Sequence, residues 1–483
     1  MAETNQLPQV INAENLAVAD GKLTWAGSEQ QAELHVKDIF LLAKSKQDER
    51  RAVICLFKED SDNSQAPFQL SLVVADQDKL PNEITDRHPL VTKLPDYLQS
   101  DDGQRIDIIV STNSGTGKAL VFWTSVLQPL LRFLCNELGA TASSLTTEEN
   151  VLVTHSAESV SQFARSLVPS DGKVTQRRTV ILLSGDGGIV DLLNGVESFE
   201  DTPGSSSLPI IALLPLGTGN ALFHSTHKQA YSYEHMLGLS PLGWGLRTLF
   251  QGDAYPLPAF EATFPPGSHI VAPGTEPDFP DSPLNRPVSS LKGAIVASYG
   301  FHASLVYESD TPAYRAHGAK RFGMVAQELL GESHAYTADV QLSRPESSAP
   351  ELVPRDTHAY VLTTLVSNLE QAFTISPASR PLDGKLRTVH FGPLGGERTM
   401  EAMKAAYDGG KHVDLKWDDG QRIHYDEVEE IRIEALDEDK RWRKVCVDGT
   451  IVGIPKGGQV AVRSMVPHSP LRLLISREGL RDS

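Results

Sequence analysis

One acidic side chain stands between glycines directly after an apolar stretch of the chain. Residues 179–183 are β-branched or apolar and predict a buried parallel strand, which Ser184-Gly185-Asp186-Gly187-Gly188 follow. Residues 189–195 predict the first turns of a helix, so Asp186 would lie at a strand's carboxyl end, where open α/β sheets bind ligands. A carboxylate there can orient a hydroxyl and accept its proton during phosphoryl transfer. A turn aspartate that only caps the helix would show the same local pattern.

Two further turns that contain glycine follow predicted strands. The turn 111–118 (STNSGTGK) joins a strand over 106–111 to a helix over 119–138, and the turn 215–220 (PLGTGN) follows a strand over 209–214. Backbone amides in such turns can surround phosphates. The first is not a Walker A loop, because Thr112 and Ala119 replace the required glycine and hydroxyl residue. Each turn alone also fits a plain turn or a helix cap, but three at one sheet edge predict a nucleotide cleft.

In this order, the three turns resemble those of the diacylglycerol kinase catalytic superfamily, and within it those of the sphingosine kinases. The resemblance covers about residues 103–470 and implies an α/β nucleotide-binding domain followed by a β-sandwich. Four stretches carry it: Gly117-Lys118-Ala119-Leu120 with Gln128-Pro129-Leu130-Leu131, Ser184-Gly185-Asp186-Gly187 with Leu193-Asn194-Gly195, residues 214–222 (LPLGTGNAL), and Cys446-Val447-Asp448-Gly449.

The resemblance implies a role for each matching residue. Asp186 would orient and deprotonate a lipid hydroxyl, ATP would donate the phosphoryl group, and Mg2+ would bridge the nucleotide phosphates. The two arginines in the nucleotide set would give bidentate, permanently charged contacts to phosphate oxygens, although a solvated helix face is the alternative. The nucleotide would be bound by Ser111, Asn113, Ser114, Gly115, Gly117, Lys118, Thr154, Ser184, Gly185, Gly187, Gly217, Thr218, Gly219, Asn220, Arg315, Arg321 and Asp448.

The chain departs from the family pattern at positions that bear on the substrate. Thr450 stands where the family has a glutamate, and Val306 stands where sphingosine kinases have the aspartate that pairs with the lipid amine. A buried ammonium without a carboxylate is costly, so Glu308 or Asp310 would have to substitute, or the head group is neutral. Phe322 begins an apolar segment that resembles the helix beside the acyl-chain pocket, although ordinary core packing gives the same pattern.

Composition narrows the class of protein. The chain of 483 residues has a formal net charge of -18, which disfavours nucleic acid as a partner because phosphate binding needs a basic face. No run of eighteen apolar residues is present and the N-terminus lacks the pattern of a signal peptide, so we expect no transmembrane segment. The three scattered cysteines predict reduced, buried thiols in an intracellular protein.

The order of predicted elements divides the chain into three regions. Residues 1–100 predict a small β-rich unit with strands over 36–42, 52–57 and 68–74. Residues 103–250 alternate strand and helix, which predicts a parallel sheet, and Pro129 should kink the helix over 119–138. Residues 251–480 predict mostly strands, hence a β-sandwich, with a Pro- and Gly-rich loop over 264–287 and a helical patch near 316–330.

The sequence therefore predicts an ATP-dependent lipid kinase that phosphorylates the primary hydroxyl of a sphingoid long-chain base. One alternative is a kinase for diacylglycerol, ceramide or another neutral lipid, which Val306 favours. A second is a lipid- or nucleotide-binding protein with a degenerate site, which Thr450, Ser111 and Gly188 favour. A lipid substrate at a membrane surface implies a cytoplasmic protein with peripheral membrane association. The sequence leaves the oligomeric state open.

Overall fold

The computed structural model describes residues 8–480, apart from 27–32, 61–62, 100–102, 140–147, 157, 168–175, 197–207, 233–236, 272–285, 319, 346, 348 and 466–469. Residues 272–285 of the loop predicted over 264–287 therefore lie outside the described residues. All three cysteines are unpaired and buried, as expected.

The first region is built around one mixed sheet. Among its described residues, five strands pair in the order β1-β6-β5-β4-β7, and β2 and β3 form a separate hairpin. The strand predicted from Val36 begins three residues later, because Val36–Asp38 form a 3-10 turn. The elements are β1 Gln9–Asn12, β2 Ala17–Ala19, β3 Lys22–Thr24, β4 Ile39–Lys44, β5 Arg51–Glu59, β6 Phe68–Asp76, α1 Asn82–Thr85 and β7 Leu90–Val91.

The second region contains the expected parallel sheet. Its elements are β8 Gln104–Val110, α2 Ala119–Phe122, α3 Gln128–Leu138, β9 Val151–Val153, α4 Ser159–Ala164, β10 Arg177–Ser184, α5 Asp186–Gly195, β11 Ile210–Pro215, α6 Ala221–Ser232 and α7 Pro241–Gln251. The four predicted strands lie side by side and parallel, in the order β11-β10-β8-β9. Their carboxyl ends, and the three turns that follow β8, β10 and β11, therefore meet at one edge.

Two strands from the third region extend this sheet, which corrects the boundary drawn at residue 250. Arg472–Ile475 pairs parallel with β11, and β12 Asp253–Pro256 pairs antiparallel with Arg472–Ile475. The three apolar residues of the last strand, 473–475, predict that it is buried, but they do not show which sheet it joins.

The long helix after the first turn is continuous from Ala119 to Leu138. A π-helical turn, Trp123–Leu127, precedes Pro129, next to the predicted kink. Such a turn spares the proline ring a clash with the preceding carbonyl. By length and composition alone, this helix is long and apolar enough to cross a membrane. Half of it is buried, as in a core helix.

The third region holds two antiparallel sheets, in the order β16-β13-β27-β24-β18-β19, with β20 on β18, and β15-β14-β26-β25-β17-β21-β22-β23. Residues of both sheets belong to one buried cluster, as a sandwich requires. The elements are β13 Phe260–Thr263, β14 His269–Ile270, β15 Arg286–Pro287, β16 Ser290–Gly293, β17 Val296–Gly300, α8 Phe301–Ser309, α9 Pro312–Arg315, α10 Lys320–Glu332, β18 Tyr336–Ser343, β19 Glu351–Leu352, β20 Thr357–His358, β21 Tyr360–Thr364, β22 Leu386–Phe391, α11 Gly395–Tyr407, β23 His424–Val428, β24 Glu430–Ala435, β25 Lys444–Val447, β26 Thr450–Gly453, β27 Gly458–Ser464 and β28 Arg472–Ile475.

Candidate active site

The three turns touch one another through their backbones. A Cβ atom on Gly185 would lie 2.7 Å from the Cα of Gly217, and one on Gly115 would lie 2.5 Å from the carbonyl oxygen of Leu216. The amide of Gly185 donates to the Oγ of Ser114 at 2.9 Å. Only glycine allows this approach, so the turns form one rigid edge of exposed backbone.

Asp186 joins the second turn to the third. The helix α5 begins at Asp186 itself rather than at 189, and the Asp186 carboxylate accepts from the amides of Ala221 at 2.7 Å and Leu222 at 3.1 Å. These amides open α6, so the carboxylate lies at a helix N-terminus. Burial raises the pKa of Asp186, and the two amide hydrogen bonds oppose that rise. A raised pKa makes a carboxylate a better proton acceptor.

In the third turn, one polar side chain holds the backbone and another faces the cavity. Asn220 has a φ of 51°, its Oδ1 accepts from the amide of Gly217 at 2.9 Å, and its Nδ2 donates to the Gly217 carbonyl. Asn220 is buried, and its side-chain hydrogen bonds hold the turn itself rather than capping the amides of α6. Thr218 is exposed and, with Gly219, lines the cavity described below.

The first turn is tied to the neighbouring strand rather than open along its whole length. The amide of Thr112 donates to Thr154 Oγ1 at 3.1 Å, and Thr112 Oγ1 donates to the Thr154 carbonyl at 2.9 Å. Ser111 and Thr154 are buried, as is Ser184 in the second turn. A Cβ atom on Gly188 would lie 2.6 Å from Ser184 Oγ, which explains the glycine at that position.

One cavity of about 640 Å³ brings the turns together with the third region. Its polar side consists of Ser114, Gly115, Gly185, Asp186, Gly187, Gly217, Thr218 and Gly219. Its apolar side comes from α8, α10, α11 and the loop between β21 and β22, with Leu305, Val306, Phe322, Ala326, Leu330, Phe373, Met400 and Met403. The predicted nucleotide residues that do not line it are Ser111, Asn113, Gly117, Lys118, Thr154, Ser184, Asn220 and Arg315.

The two predicted arginines have different positions. Arg315 donates from Nε and Nη2 to both oxygens of Asp310, at 2.8 and 2.7 Å, and this hydrogen bonding raises its pKa. Arg321 lines the cavity, stacks over the Phe322 ring at 4.8 Å and lies 3.7 Å from Asp310. Burial lowers the pKa of Arg321. Its Nε has no hydrogen-bond partner among the described residues, so Arg321 is the better placed of the two to meet a phosphate.

The two acids predicted to replace the missing aspartate are both paired. Asp310 lines the cavity but is held by Arg315. Glu308 does not line the cavity, and its carboxylate accepts from Arg441 at 3.0 Å. The sequence places both acids soon after Val306, but it does not show that each is paired with an arginine, five residues away for Asp310 and far along the chain for Glu308.

Asp448 lines the cavity, but its carboxylate accepts hydrogen bonds from backbone amides. It accepts from the amides of Ala294 at 2.6 Å, Ile295 at 3.2 Å and Val296. Burial, with the charge of Asp186 adding to it, raises the pKa of Asp448 to about 7. The residue therefore fixes the entry to β17, and a direct nucleotide contact stays a prediction.

Asp191 is a cavity residue that sequence reasoning missed. It follows Asp186 by five residues on α5 and lines the cavity beside Thr450. Burial raises the pKa of Asp191 to about 6, and the charge of Arg286 opposes that rise. The signal in the sequence was a lone acid on the first helix after the glycine turn.

Residues 105–239 match the family model described as the diacylglycerol kinase catalytic domain. The match contains all three turns, so the resemblance to this superfamily is confirmed there, and the sphingosine-kinase subtype stays a prediction. A diacylglycerol kinase structure from Bacillus anthracis str. Sterne is 12% identical, with a TM-score of 0.43, over 78% of this chain and 99% of that one. Yeast NADH kinase complexed with NADH is 12% identical, with a TM-score of 0.37, over 79% and 88%. No curated protein sequence matches the chain significantly.

Proposed function

We propose that this protein is an ATP-dependent lipid kinase whose substrate is a sphingoid long-chain base. The observation that carries the proposal is the single cavity, which has rigid glycine turns and Asp186 on one side and an apolar wall on the other. A nucleotide phosphate chain suits the first side and a lipid chain suits the second.

The residues support an in-line transfer. The lipid hydroxyl oxygen attacks the γ-phosphorus of ATP, the bond from phosphorus to the bridging oxygen breaks, and ADP leaves. Asp186 takes the hydroxyl proton, while the amides of Ala221 and Leu222 hold its carboxylate in place. Arg321 supplies a positive charge to the transferring oxygens.

Mg2+ fits this site as a companion of the nucleotide rather than as a resident ion. The described residues include no group of three or more His, Cys, Asp or Glu side chains that could hold a metal ion. Mg2+ commonly takes most of its oxygen ligands from phosphates and water, and it would neutralise the charge that develops on the phosphates.

A lipid substrate implies work at a membrane surface. Met324 follows the cavity residue Gly323 on α10 and is 38% exposed, and Tyr407 lines the cavity while 52% exposed. These side chains can meet a lipid surface without unfolding. They support peripheral association from the cytoplasm for a protein whose net charge disfavours purely electrostatic docking.

A neutral lipid substrate is the second candidate function. Val306 lines the cavity, and Asp310 and Glu308 are both committed to arginines. If no other acid served the amine, diacylglycerol or ceramide would fit better than a long-chain base.

Transfer of radiolabelled phosphate from ATP with Mg2+ tests the proposal, with sphingosine, ceramide and diacylglycerol offered separately. We expect transfer to a lipid by the wild-type protein and by Asp253→Asn, which breaks only an exposed ion pair with Arg477. We expect none with Asp186→Asn. Nucleotide binding without transfer to any lipid would contradict the proposal and favour the degenerate-site alternative.

A further inference from the structure

The carboxylates that line the cavity differ in whether they are already paired. Two of them accept backbone amides: Asp186 from Ala221 and Leu222, and Asp448 from residues 294–296. Asp310 is held by Arg315, and Glu370 accepts from the hydroxyl of Tyr407 at 3.2 Å. Asp191 also lines the cavity; among the described residues it makes no hydrogen bond or ion pair, and the charge of Arg286 acts on it only from a longer distance.

The partial burial of Asp191 makes an unpaired carboxylate unfavourable there. It is partly buried on α5, and it also lines an adjoining cavity of about 510 Å³ with Thr450. A carboxylate that loses water without gaining a partner costs free energy, which a bound cation would recover. The site is therefore prepared for a positively charged group.

We propose that the Asp191 carboxylate binds the ammonium group of the lipid substrate and so determines its head-group specificity. This inference rests on the proposed kinase function. It adds to that function the acid that would replace the aspartate missing at Val306. It also favours an amine-bearing lipid over a neutral one.

The spacing along α5 fits a 1,2-amino alcohol. Five residues of helix rise about 7.5 Å and turn by about 140° from Asp186 to Asp191, and both carboxylates still line the same cavity. A hydroxyl bonded to one carboxylate and an ammonium on the next carbon bonded to the other would span roughly 8 Å. One lipid head group can therefore reach the proton acceptor Asp186 and the charge partner Asp191 together.

An ammonium suits this residue better than a metal ion. An ammonium donates three hydrogen bonds and is satisfied by one carboxylate with one or two neutral acceptors, and Thr450 lines the cavity nearby. Mg2+ demands about six oxygen ligands. The other carboxylates of the cavity are already held.

The test compares sphingosine with ceramide, since N-acylation removes the charge and keeps both hydroxyls. For Asp191→Asn we expect the KM for sphingosine to rise at least tenfold with kcat little changed, and the KM for ceramide to stay within twofold. Asp191→Glu should keep most of the preference for sphingosine. The matched control is Asp253→Asn, which makes the same change at a carboxylate outside the cavity, and it should leave both KM values within twofold.

Other results would overturn the inference, and a binding experiment tests it separately from the kinase activity. A wild-type preference for ceramide, or equal losses on both lipids with a raised Mg2+ requirement in Asp191→Asn, would overturn it. If no lipid is phosphorylated, the kinase proposal fails, and thermal shifts decide the inference alone. Sphingosine should then raise the melting temperature of the wild type but not of Asp191→Asn, and an equal shift in both would overturn it.

Discussion

Asp186 has a raised pKa and accepts hydrogen bonds from two backbone amides. These two properties predict the effect of replacing it with asparagine. In Asp186→Asn the side chain loses its proton-accepting oxygen and turns an NH2 group towards the amides of Ala221 or Leu222. We expect kcat to fall at least a thousandfold, equivalent to about 4 kcal/mol of barrier, with the fold retained. Single-turnover rates and circular dichroism check this, and a fall of only a few fold would contradict the catalytic role.

Asp191 predicts a pH dependence specific to the amine substrate. Because its pKa lies near 6, Asp191 is ionised above pH 7 and becomes protonated as the pH falls through 6. The KM for sphingosine should therefore rise towards roughly tenfold between pH 7 and 5. The charged groups that line the two cavities with it are three arginines and four other carboxylates: Arg165, Arg286, Arg321, Asp186, Asp310, Glu370 and Asp448. The arginines keep their charge throughout this pH range.

The ratio of KM values for sphingosine and ceramide isolates this effect, because titration of Asp186 changes both reactions alike. Asp191→Asn should flatten the ratio over the same pH range. A ratio that does not change with pH in the wild type would show that the carboxylate does not meet the ammonium.

Two glycines in one turn predict opposite results. An added Cβ at Gly185 would collide with the Cα of Gly217, whereas one at Gly187 meets nothing within 4 Å. Gly185→Ala should lower the free energy of unfolding by about 1–3 kcal/mol and weaken ATP binding, since the turns must separate. Gly187→Ala should leave the free energy of unfolding within about 0.5 kcal/mol. Urea unfolding of both variants checks this, and similar losses would contradict the close packing.

At the scale of elements, the sequence predicted what depends on local pattern. The strands β5, β6, β8, β10 and β11 follow from runs of β-branched residues, and the turns follow from their glycines. The start of α5 at Asp186 was missed, because the amides that hold this carboxylate come from α6, further along the chain. The π-helical turn before Pro129 was missed because proline shows that a regular helix is disturbed, but not how.

The same limit applies to the charged residues of the site. Asp310 and Glu308 follow Val306 closely in the sequence, but the partner of Glu308 is Arg441, which is distant in the sequence. Pairing of this kind depends on tertiary structure and leaves no periodic signal. Asp191 is the opposite case. We propose it as the partner of the ammonium because it lines the cavity without a hydrogen bond or ion pair among the described residues, and the sequence could not show this.

The long helix 119–138 offers a test of how elements are held together. The Phe122 ring meets Phe57 of β5 and Phe68 of β6 edge-on, at 5.7 and 5.2 Å, while Leu120 on the same helix is 42% exposed. Phe122→Ala should reduce the free energy of unfolding by about 3–5 kcal/mol because it leaves a cavity between two regions. Leu120→Ala should cost less than about 1 kcal/mol. Chemical denaturation measures both, and equal costs would argue against this contact.

At the scale of the whole molecule, regions far apart in sequence share one core. The buried Arg247 of α7 donates to Glu478 near the end of the described chain, at 2.9 Å, and to the carbonyl of Phe40 in β4, at 3.4 Å. It also lies 3.4 Å from His88 Nδ1. Burial, with the Arg247 charge adding to it, lowers the pKa of His88 to about 3, so this histidine stays neutral. The active-site sheet is thus tied to both the first and the last parts of the chain.

The strand β28 tests whether the active-site sheet depends on the last part of the chain. Arg472–Ile475 lies between β11 and β12, with Leu473, Leu474 and Ile475 buried, although the sequence assigned it to a different domain. A chain ended after Ser464 would expose the edge of β11, the strand that leads into the turn with Thr218. We expect that chain to aggregate or to lose its cooperative thermal transition. A chain ended after Leu480 keeps the strand and should melt as the full chain does, and a soluble shorter chain with an unchanged melting temperature would refute this role for β28.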